Sequence, residues 1–303
     1  MAAVSLVVVC LLLGVLLRRL GRLPDDAPAV LNGYVINVAL PALALLHLHR
    51  APLTVDFIVA AGGAWLMLGC AALFFALLAR RWGLAQGEVG ALVLTAGLAN
   101  TSFVGLPMIE AYLGRDGLPL GIVVDQLGSY LALSTLGLLL AARYAGEPVS
   151  VRVMLRRLCT FPPLLALALA LALRPLPMPE PAYALLARIG DTVAPVALVA
   201  VGLQLRLDSI HARLRALSLG LAYKLVVGPA VVAGLCLALW DPATPAAELA
   251  RAVVIFEAAM GPMIGAAVIA HQFRLDGALA GLMVGLGIPL SLLTAPLWLA
   301  AVA

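Results

Sequence analysis

Charge is what this sequence has least of. Only 11% of its 303 residues are charged, against 64% hydrophobic, and the mean hydropathy is +1.12. A soluble domain of this length could not hide so much apolar surface, which leaves a polytopic membrane protein. Cysteine is sparse as well. Cys10, Cys70, Cys159 and Cys236 are far apart, form no CxxC, and three of them sit in apolar runs. They read as small hydrophobes, which excludes a disulfide framework and a thiolate metal site. The histidines (His47, His49, His211 and His271) make no HxxxH or HExxH, so neither a metal nor a cofactor is expected. There is no P-loop, which argues against ATP-driven transport by this chain. There is also no GxGD pair and no Ser/His dyad within an apolar run, so no enzyme activity is expected. The basic excess is small, 19 Lys and Arg against 15 Asp and Glu. Most arginines flank apolar runs and form no basic face, so no nucleic acid partner is expected. The start lacks a basic n-region and a small-residue cleavage site, and is expected to be a retained first span.

Hydropathy and loop punctuation mark ten spans: 2–17, 27–46, 55–79, 89–112, 118–142, 161–174, 182–205, 216–240, 248–271 and 277–301. Most are close to the ~20 residues that a bilayer core requires. Arginine sets the orientation. Thirteen basic residues lie in loops after odd-numbered spans, among them Arg18, Arg81, Arg152, Arg157 and Arg206. Loops after even-numbered spans hold Arg50, Arg115, Arg174 and Arg251. Positive loops stay in the cytoplasm. Both termini are therefore expected outside, and the 143–160 loop inside, in a plasma membrane (the inner membrane of a bacterium).

The fourth span is the most informative. Its flanks are apolar, but its middle places Asn100, Thr101 and Ser102 in a row, followed by Gly105 and Pro107. Pro107 lacks a backbone N–H and crowds a preceding carbonyl. A helix with this middle should break, and broken backbone in a membrane is tolerated only inside protein or along a watery cavity. In secondary transporters such breaks form the substrate site. The ninth span repeats the signal with Gly261, Pro262 and Met263. Pro107 and Pro262 lie 155 residues apart, and Pro41 of the second span and Pro195 of the seventh lie 154 apart. Two proline pairs at almost one offset predict two halves of five spans each, residues 1–142 and 161–303, joined by the 143–160 loop. Five is odd, so the second half is inverted in the membrane. The second half-helices of spans four and nine are expected to begin near Pro107 and Pro262. Their N-termini, each carrying partial positive charge and free N–H groups, would make an anion site without lysine or arginine.

These residues match a family. Leu98-Ala-Asn100-Thr101-Ser-Phe-Val-Gly105-Leu-Pro107 resembles the L-x-N-T-x-x-x-G-[IL]-P segment of the auxin efflux carriers. The stretch from Pro195 to Leu205, which includes Gln204, resembles that family's P-x-x-L-x-x-x-G-x-x-L. Ala258 through Asp276 resembles its ninth span and following loop, and Ala39-Leu40-Pro41 its second span. The resemblance runs in order along essentially the whole chain. It implies ten transmembrane helices in two inverted repeats with helices 4 and 9 crossing, a fold shared with bile acid/sodium symporters. It also implies a scaffold of helices 1, 2, 6 and 7, carrying Pro41, Pro195 and Gln204, and a transport domain of helices 3–5 and 8–10. Plant members export the auxin anion; bacterial members are assigned to malate, malonate and similar acids. The long central loop of the plant carriers is missing here, and so is the acid–lysine pair of their third span, where this chain has only Asp56 at its edge.

The expected function is secondary transport of small organic anions by alternating access. The alternatives are sodium-coupled symport of the bile acid type and a channel or sensor on the same fold. The expected substrate site is Asn100, Thr101, Ser102, Gly105, Pro107, Gly261, Pro262 and Met263. Asn100 leads because its amide can donate to a carboxylate; its other reading is a clamp on the break. Asp125, Gln126, Glu257 and Lys224 are expected in gating or in coupling to a proton or sodium, since acids inside a membrane are costly and usually functional. Lys224 is otherwise expected to snorkel to the interface and Glu110 to reach the outer interface, while Asp191 is expected either to pair with Arg188 one turn away or to take a functional role. The expected partners are the bilayer, the organic anion, and a second copy through the scaffold helices. Inward transport is expected to be accelerated by an inward proton gradient.

Overall fold

The computed structural model describes residues 2–51, 55–148, 150–205, 213–240 and 244–302. Arg206 and His211 lie outside them. The described residues are helical throughout, and the only extended pairing among them is a single bridge between Ala99 and Pro262. In chain order the helices are α1 Ala2–Arg19, α2 Ala27–Leu48, α3 Val55–Trp82, α4 Gln86–Gly97, α5 Leu106–Tyr112 and α6 Arg115–Ala145. Then come α7 Val151–Thr160, α8 Pro162–Leu173, α9 Glu180–Gln204, α10 Leu214–Leu239, α11 Pro245–Ala258, α12 Ile264–Gln272 and α13 Gly277–Val302. Six of these (α2, α3, α6, α9, α10 and α13) are long and apolar enough to cross a membrane singly. The pair α7 and α8, bent by 59° at Phe161, makes a seventh if counted as one span.

The exterior fits a bilayer. Ile58, Leu73, Leu77, Leu293 and Leu297 are between 62% and 76% exposed, which is costly in water and neutral against lipid. Proline shapes the interior in a regular way. Three π-turns, Val35–Ala39, Thr101–Gly105 and Tyr223–Val227, each end two residues before a proline: Pro41, Pro107 and Pro229. A π-turn widens the helix by one residue, which gives the ring room that a regular turn denies. Pro41 therefore sits inside a continuous α2, and Pro195 follows the turn at Asp191–Thr192 within α9.

Helices α1 and α9 touch backbone to backbone. A Cβ on Gly14 would lie 2.2 Å from the carbonyl oxygen of Val199, and one on Gly202 2.2 Å from that of Leu11. Small residues at a membrane-helix interface permit this approach. Gly202→Val should force the pair apart, costing about 1–3 kcal/mol as overpacking does elsewhere. The expected result is a lower thermal midpoint for the purified protein; an unchanged midpoint would show that the contact is not tight.

Candidate functional site: a crossing of two broken helices

The break after α4 is short. Gly97 ends the helix, Leu98 is extended at φ −121° and ψ 136°, and a new helical turn starts at Thr101. The break after α11 lies opposite and runs antiparallel to it. The Asn100 N–H donates to the Gly261 carbonyl at 2.8 Å, and the Met263 N–H to the Leu98 carbonyl at 3.1 Å. Each break thus satisfies backbone groups that the other frees, as a low-dielectric interior requires. Pro262 sits in the bridge itself.

Pro107 does not mark the start of its half-helix. The helical turn begins six residues earlier, at Thr101, and Pro107 is the second residue of α5 after the π-turn. The π-turn that precedes it gives the proline ring the room that a regular turn denies. What breaks the span is the local bonding of Asn100, whose Oδ1 accepts from the Phe103 N–H at 3.3 Å as an N-cap. Pro107 lies at the far end, in a crevice with Glu110, Leu118 and Asp191.

On one side of the crossing lies a cavity of about 940 Å³. Asn100, Thr101, Ser102, Asp125 and Met263 line its inner end, and Arg18, Arg157, His271 and Gln272 lie along the rest of its wall. Three features at the inner end bear on recognition. The Asn100 Nδ2 is buried and has no protein partner, so the clamp uses only the oxygen of that amide. The first-turn N–H groups of Ile264 and Gly265 have no intrahelical acceptor, and both residues face the cavity. The hydroxyls of Thr101 and Ser102 both donate to Oδ1 of Asp125. The positive end of one half-helix therefore already holds an acid of the protein, while the N-terminus of α12 and the Asn100 amide stay open to the cavity.

Other residues of the wall carry no signal of a site in the sequence. Tyr130 and Phe161 stack with ring centroids 3.5 Å apart, the Tyr130 hydroxyl donates to the Arg157 carbonyl at 3.0 Å, and Arg157 Nη2 donates to Gln272 Oε1 at 2.9 Å. In the sequence Arg157 is one of several loop arginines, and nothing local shows it reaching a cavity. Gln204 ends α9 on the same wall, its amide donating to the Ala200 carbonyl at 2.9 Å. Gly105, Gly261 and Pro262 build the crossing and do not line the cavity.

Four buried polar side chains lie at the crossing and behind it. Asp125, Gln126 and Glu257 are each 1% exposed, and Lys224, the one lysine of the chain, is fully buried. The Lys224 ammonium donates to the Ala258 carbonyl at 3.1 Å and sits 3.7 Å from the Met67 sulfur. It does not snorkel: the carbonyl at the C-terminal end of α11, a negative dipole end, gives it a partner inside the bundle. The Glu257 carboxylate packs against Gly105, where a Cβ would come within 2.1 Å of Oε2. That close approach is the reason for glycine at this position.

The opposite end is closed. Arg115 pairs with Glu110 at 3.0 Å and with Asp191 at 2.9 Å. Asp191 does not pair with Arg188 as expected; Arg115, distant in sequence, holds it across the gap between α6 and α9. Glu110, with 31% of its side chain exposed, sits at the rim beside it. These are exposed pairs worth about 0–1 kcal/mol each, so Arg115→Ala, which removes both, should shift the balance toward an open far end by at most about thirtyfold. Faster alkylation of a cysteine introduced at Ala194, in the same crevice, is the expected result. An unchanged rate would mean that the pairs do not hold that end shut. His49 is held within the described fold, its Nε2 near the Leu173 and Leu176 carbonyls and its Nδ1 2.6 Å from the Tyr183 hydroxyl.

An apolar exterior, spans broken at a shared crossing and a large cavity ending there define a membrane transporter. The comparison with known families agrees. The family described as membrane transport protein, the one resembled above through its auxin efflux carriers, matches residues 1–299, and the chain belongs to it. The chain is 31% identical over 295 residues to a protein described as an uncharacterized transporter from Methanothermobacter thermautotrophicus, covering 96% of this chain and 95% of that one. It is also 28% identical over 171 residues to an uncharacterized transporter of Methanocaldococcus jannaschii, covering 54% of each.

Proposed function

We propose that this chain carries small organic anions, carboxylates of the malate, malonate or auxin kind, by alternating access. The observation that carries the reading is the unpartnered, buried Asn100 Nδ2 on the cavity wall beside the open N-terminus of α12. A buried amide donor without a partner costs about 1–3 kcal/mol, and a carboxylate satisfies it together with the Ile264 and Gly265 N–H groups. Asp125, across the same end, favours a substrate that arrives with a proton or cation, because two unscreened carboxylates there would repel. Gln126, Glu257 and Lys224, packed behind it, belong to the same coupling and gating group.

The architecture we propose is two inverted five-helix repeats, 1–142 and 161–303, around the 143–160 loop. The antiparallel pairing of the two breaks and the matched proline offsets support it. Helices α1, α2, α8 and α9 then form the scaffold, through which two copies would meet, and the remaining spans form the transport domain. The cavity wall carries Arg18 and Arg157, which the arginine asymmetry assigns to the cytoplasm. The conformation is then inward-facing, with Arg115 closing the outside, where both termini lie, in a plasma membrane. A closed far end favours alternating access over a constant pore. The test is uptake into proteoliposomes of radiolabelled mono- and dicarboxylates beside amines and sugars. Saturable uptake confined to carboxylates is expected; uptake of amines or sugars alone would refute the reading.

A further inference from the structure

Helix α7, Val151–Thr160, is built differently from the spans around it. It carries Arg152, Arg156 and Arg157 and no acid. So dense a set of arginines keeps it out of the hydrocarbon core. It cannot leave the membrane surface either. Residues 146–150 are all that separate it from the end of α6, and Phe161 alone joins it to α8. The 59° bend at Phe161 tips it from the axis of α8 toward the membrane plane.

The side chains of α7 sort into strips by the helical period. Met154 packs against the hydrophobic core, and Leu158, one turn on, is partly buried. Arg157 lies on the same protein side, where its Nη2 donates to Gln272 of α12 at 2.9 Å. Val151 and Leu155 form the next strip and turn away from the protein, 66% and 55% exposed. Arg152 and Arg156 form the strip beyond, and both are exposed. Neither guanidinium has a hydrogen-bond or acidic partner among the described residues. A protein-facing strip, an apolar strip and a basic strip, in that order, make the surface of a helix lying in a membrane interface. The apolar side chains enter the acyl boundary, and the arginines stay at headgroup level.

We propose that α7 lies in the headgroup layer and binds anionic phospholipid through Arg152 and Arg156, with Val151 and Leu155 set in the acyl boundary. Charge and place select this partner. The strip offers cations without acids, and the bilayer already adjoins it because both ends of α7 are tied to spans. An acidic soluble protein would have to displace lipid from Val151 and Leu155 to reach the arginines. The position also matters for the large cavity. The Arg157 carbonyl accepts from the Tyr130 hydroxyl, and Phe161 stacks on the Tyr130 ring. A lipid held at Arg156 is therefore one residue from the cavity wall. The lipid site is independent of what that cavity carries, because it is measured without any organic substrate.

The experiment uses the full chain. In vesicles of phosphatidylcholine and phosphatidylglycerol, spin labels go on single cysteines at Leu155 and, for contrast, at exposed Thr160 on the far side of the helix. Oxygen, which concentrates in lipid, should relax the label at 155, and a water-soluble nickel complex the label at 160. In detergent, added phosphatidylglycerol should raise the thermal midpoint more than phosphatidylcholine does, and soluble glycerol phosphate should not raise it. A basic residue at an anionic surface contributes roughly a fivefold factor in binding. Arg152→Gln with Arg156→Gln should therefore raise the phosphatidylglycerol concentration required by about thirtyfold. Equal midpoints in the two lipids would overturn the proposal, as would a wild-type response in that variant or a label at 155 that is open to water. A loss of the same size in Arg80→Gln with Arg81→Gln, at the end of α3, would reduce the effect to net charge and overturn it too. Should the Arg152, Arg156 variant fail to fold, the wild-type protein decides. Salt screens headgroup attraction, so a phosphatidylglycerol effect undiminished in strong salt also overturns it. Failure of carboxylate uptake would leave these results as they stand.

Discussion

Asn100→Asp is expected to abolish carboxylate transport while leaving the protein folded. The two atoms of this amide do different work. Oδ1 caps the new helical turn by accepting from Phe103, and Nδ2 faces the cavity without a partner. Aspartate keeps the capping acceptor, removes the donor and adds a like charge. Asn100→Ala removes both functions. A hydrogen bond to a charged group contributes about 1.5–3 kcal/mol, so the alanine variant should lose about ten- to a hundred-fold in apparent affinity. It should also lose the ~0.5–2 kcal/mol that such a cap contributes to stability. The aspartate variant should lose at least as much affinity and keep its thermal midpoint. Full affinity in Asn100→Asp, measured by concentration-dependent uptake, would assign Asn100 to the backbone clamp alone.

The second large effect is expected at Gly105, although alanine is ordinarily the better helix former. Its backbone is helical, and alanine should gain about 0.5–1 kcal/mol there on propensity alone. Instead the added methyl would meet the Glu257 carboxyl group, with Oε2 at 2.1 Å and Cδ at 2.6 Å. Something buried must move, at about 1–3 kcal/mol, and the displaced group is the acid proposed above for coupling and gating. Gly105→Ala should lower the thermal midpoint and cut transport by at least tenfold. Shortening the acid in the double variant Gly105→Ala, Glu257→Asp should restore part of the midpoint, which identifies the clash as the cause. A Gly105→Ala protein as stable and active as wild type would show that the carboxylate does not sit against that helix.

Much of this site was legible before any coordinates. The polar triplet Asn100-Thr101-Ser102 stands out against its apolar flanks, and glycine and proline recur at the matching place near 262. The limits of the long helices follow from hydropathy to within a few residues, because apolar length is set by the bilayer. The placement of the fourth-span break did not follow. Proline is the expected breaker by its chemistry, yet a π-turn absorbs Pro107, and the chain departs from helix at Leu98–Asn100. Partnerships across the bundle were also hidden. Asp191 finds Arg115 rather than its near neighbour Arg188, and the Thr101 and Ser102 hydroxyls serve Asp125. Lys224 is buried against a helix-end carbonyl that no spacing rule connects to it. Such pairings depend on how helices distant in sequence meet, and periodicity carries no record of that.

The central claim, that a carboxylate binds at the crossing, is tested most directly by protection. A cysteine placed at Ser102, in a background without Cys10, Cys70, Cys159 and Cys236, should react with a small soluble alkylating reagent through the cavity. A transported carboxylate should slow that reaction in proportion to its occupancy, and the protection should vanish when Asn100→Asp is added. Alkylation unaffected by any carboxylate that the protein transports, or protected equally with and without the Asn100 amide, would contradict the account.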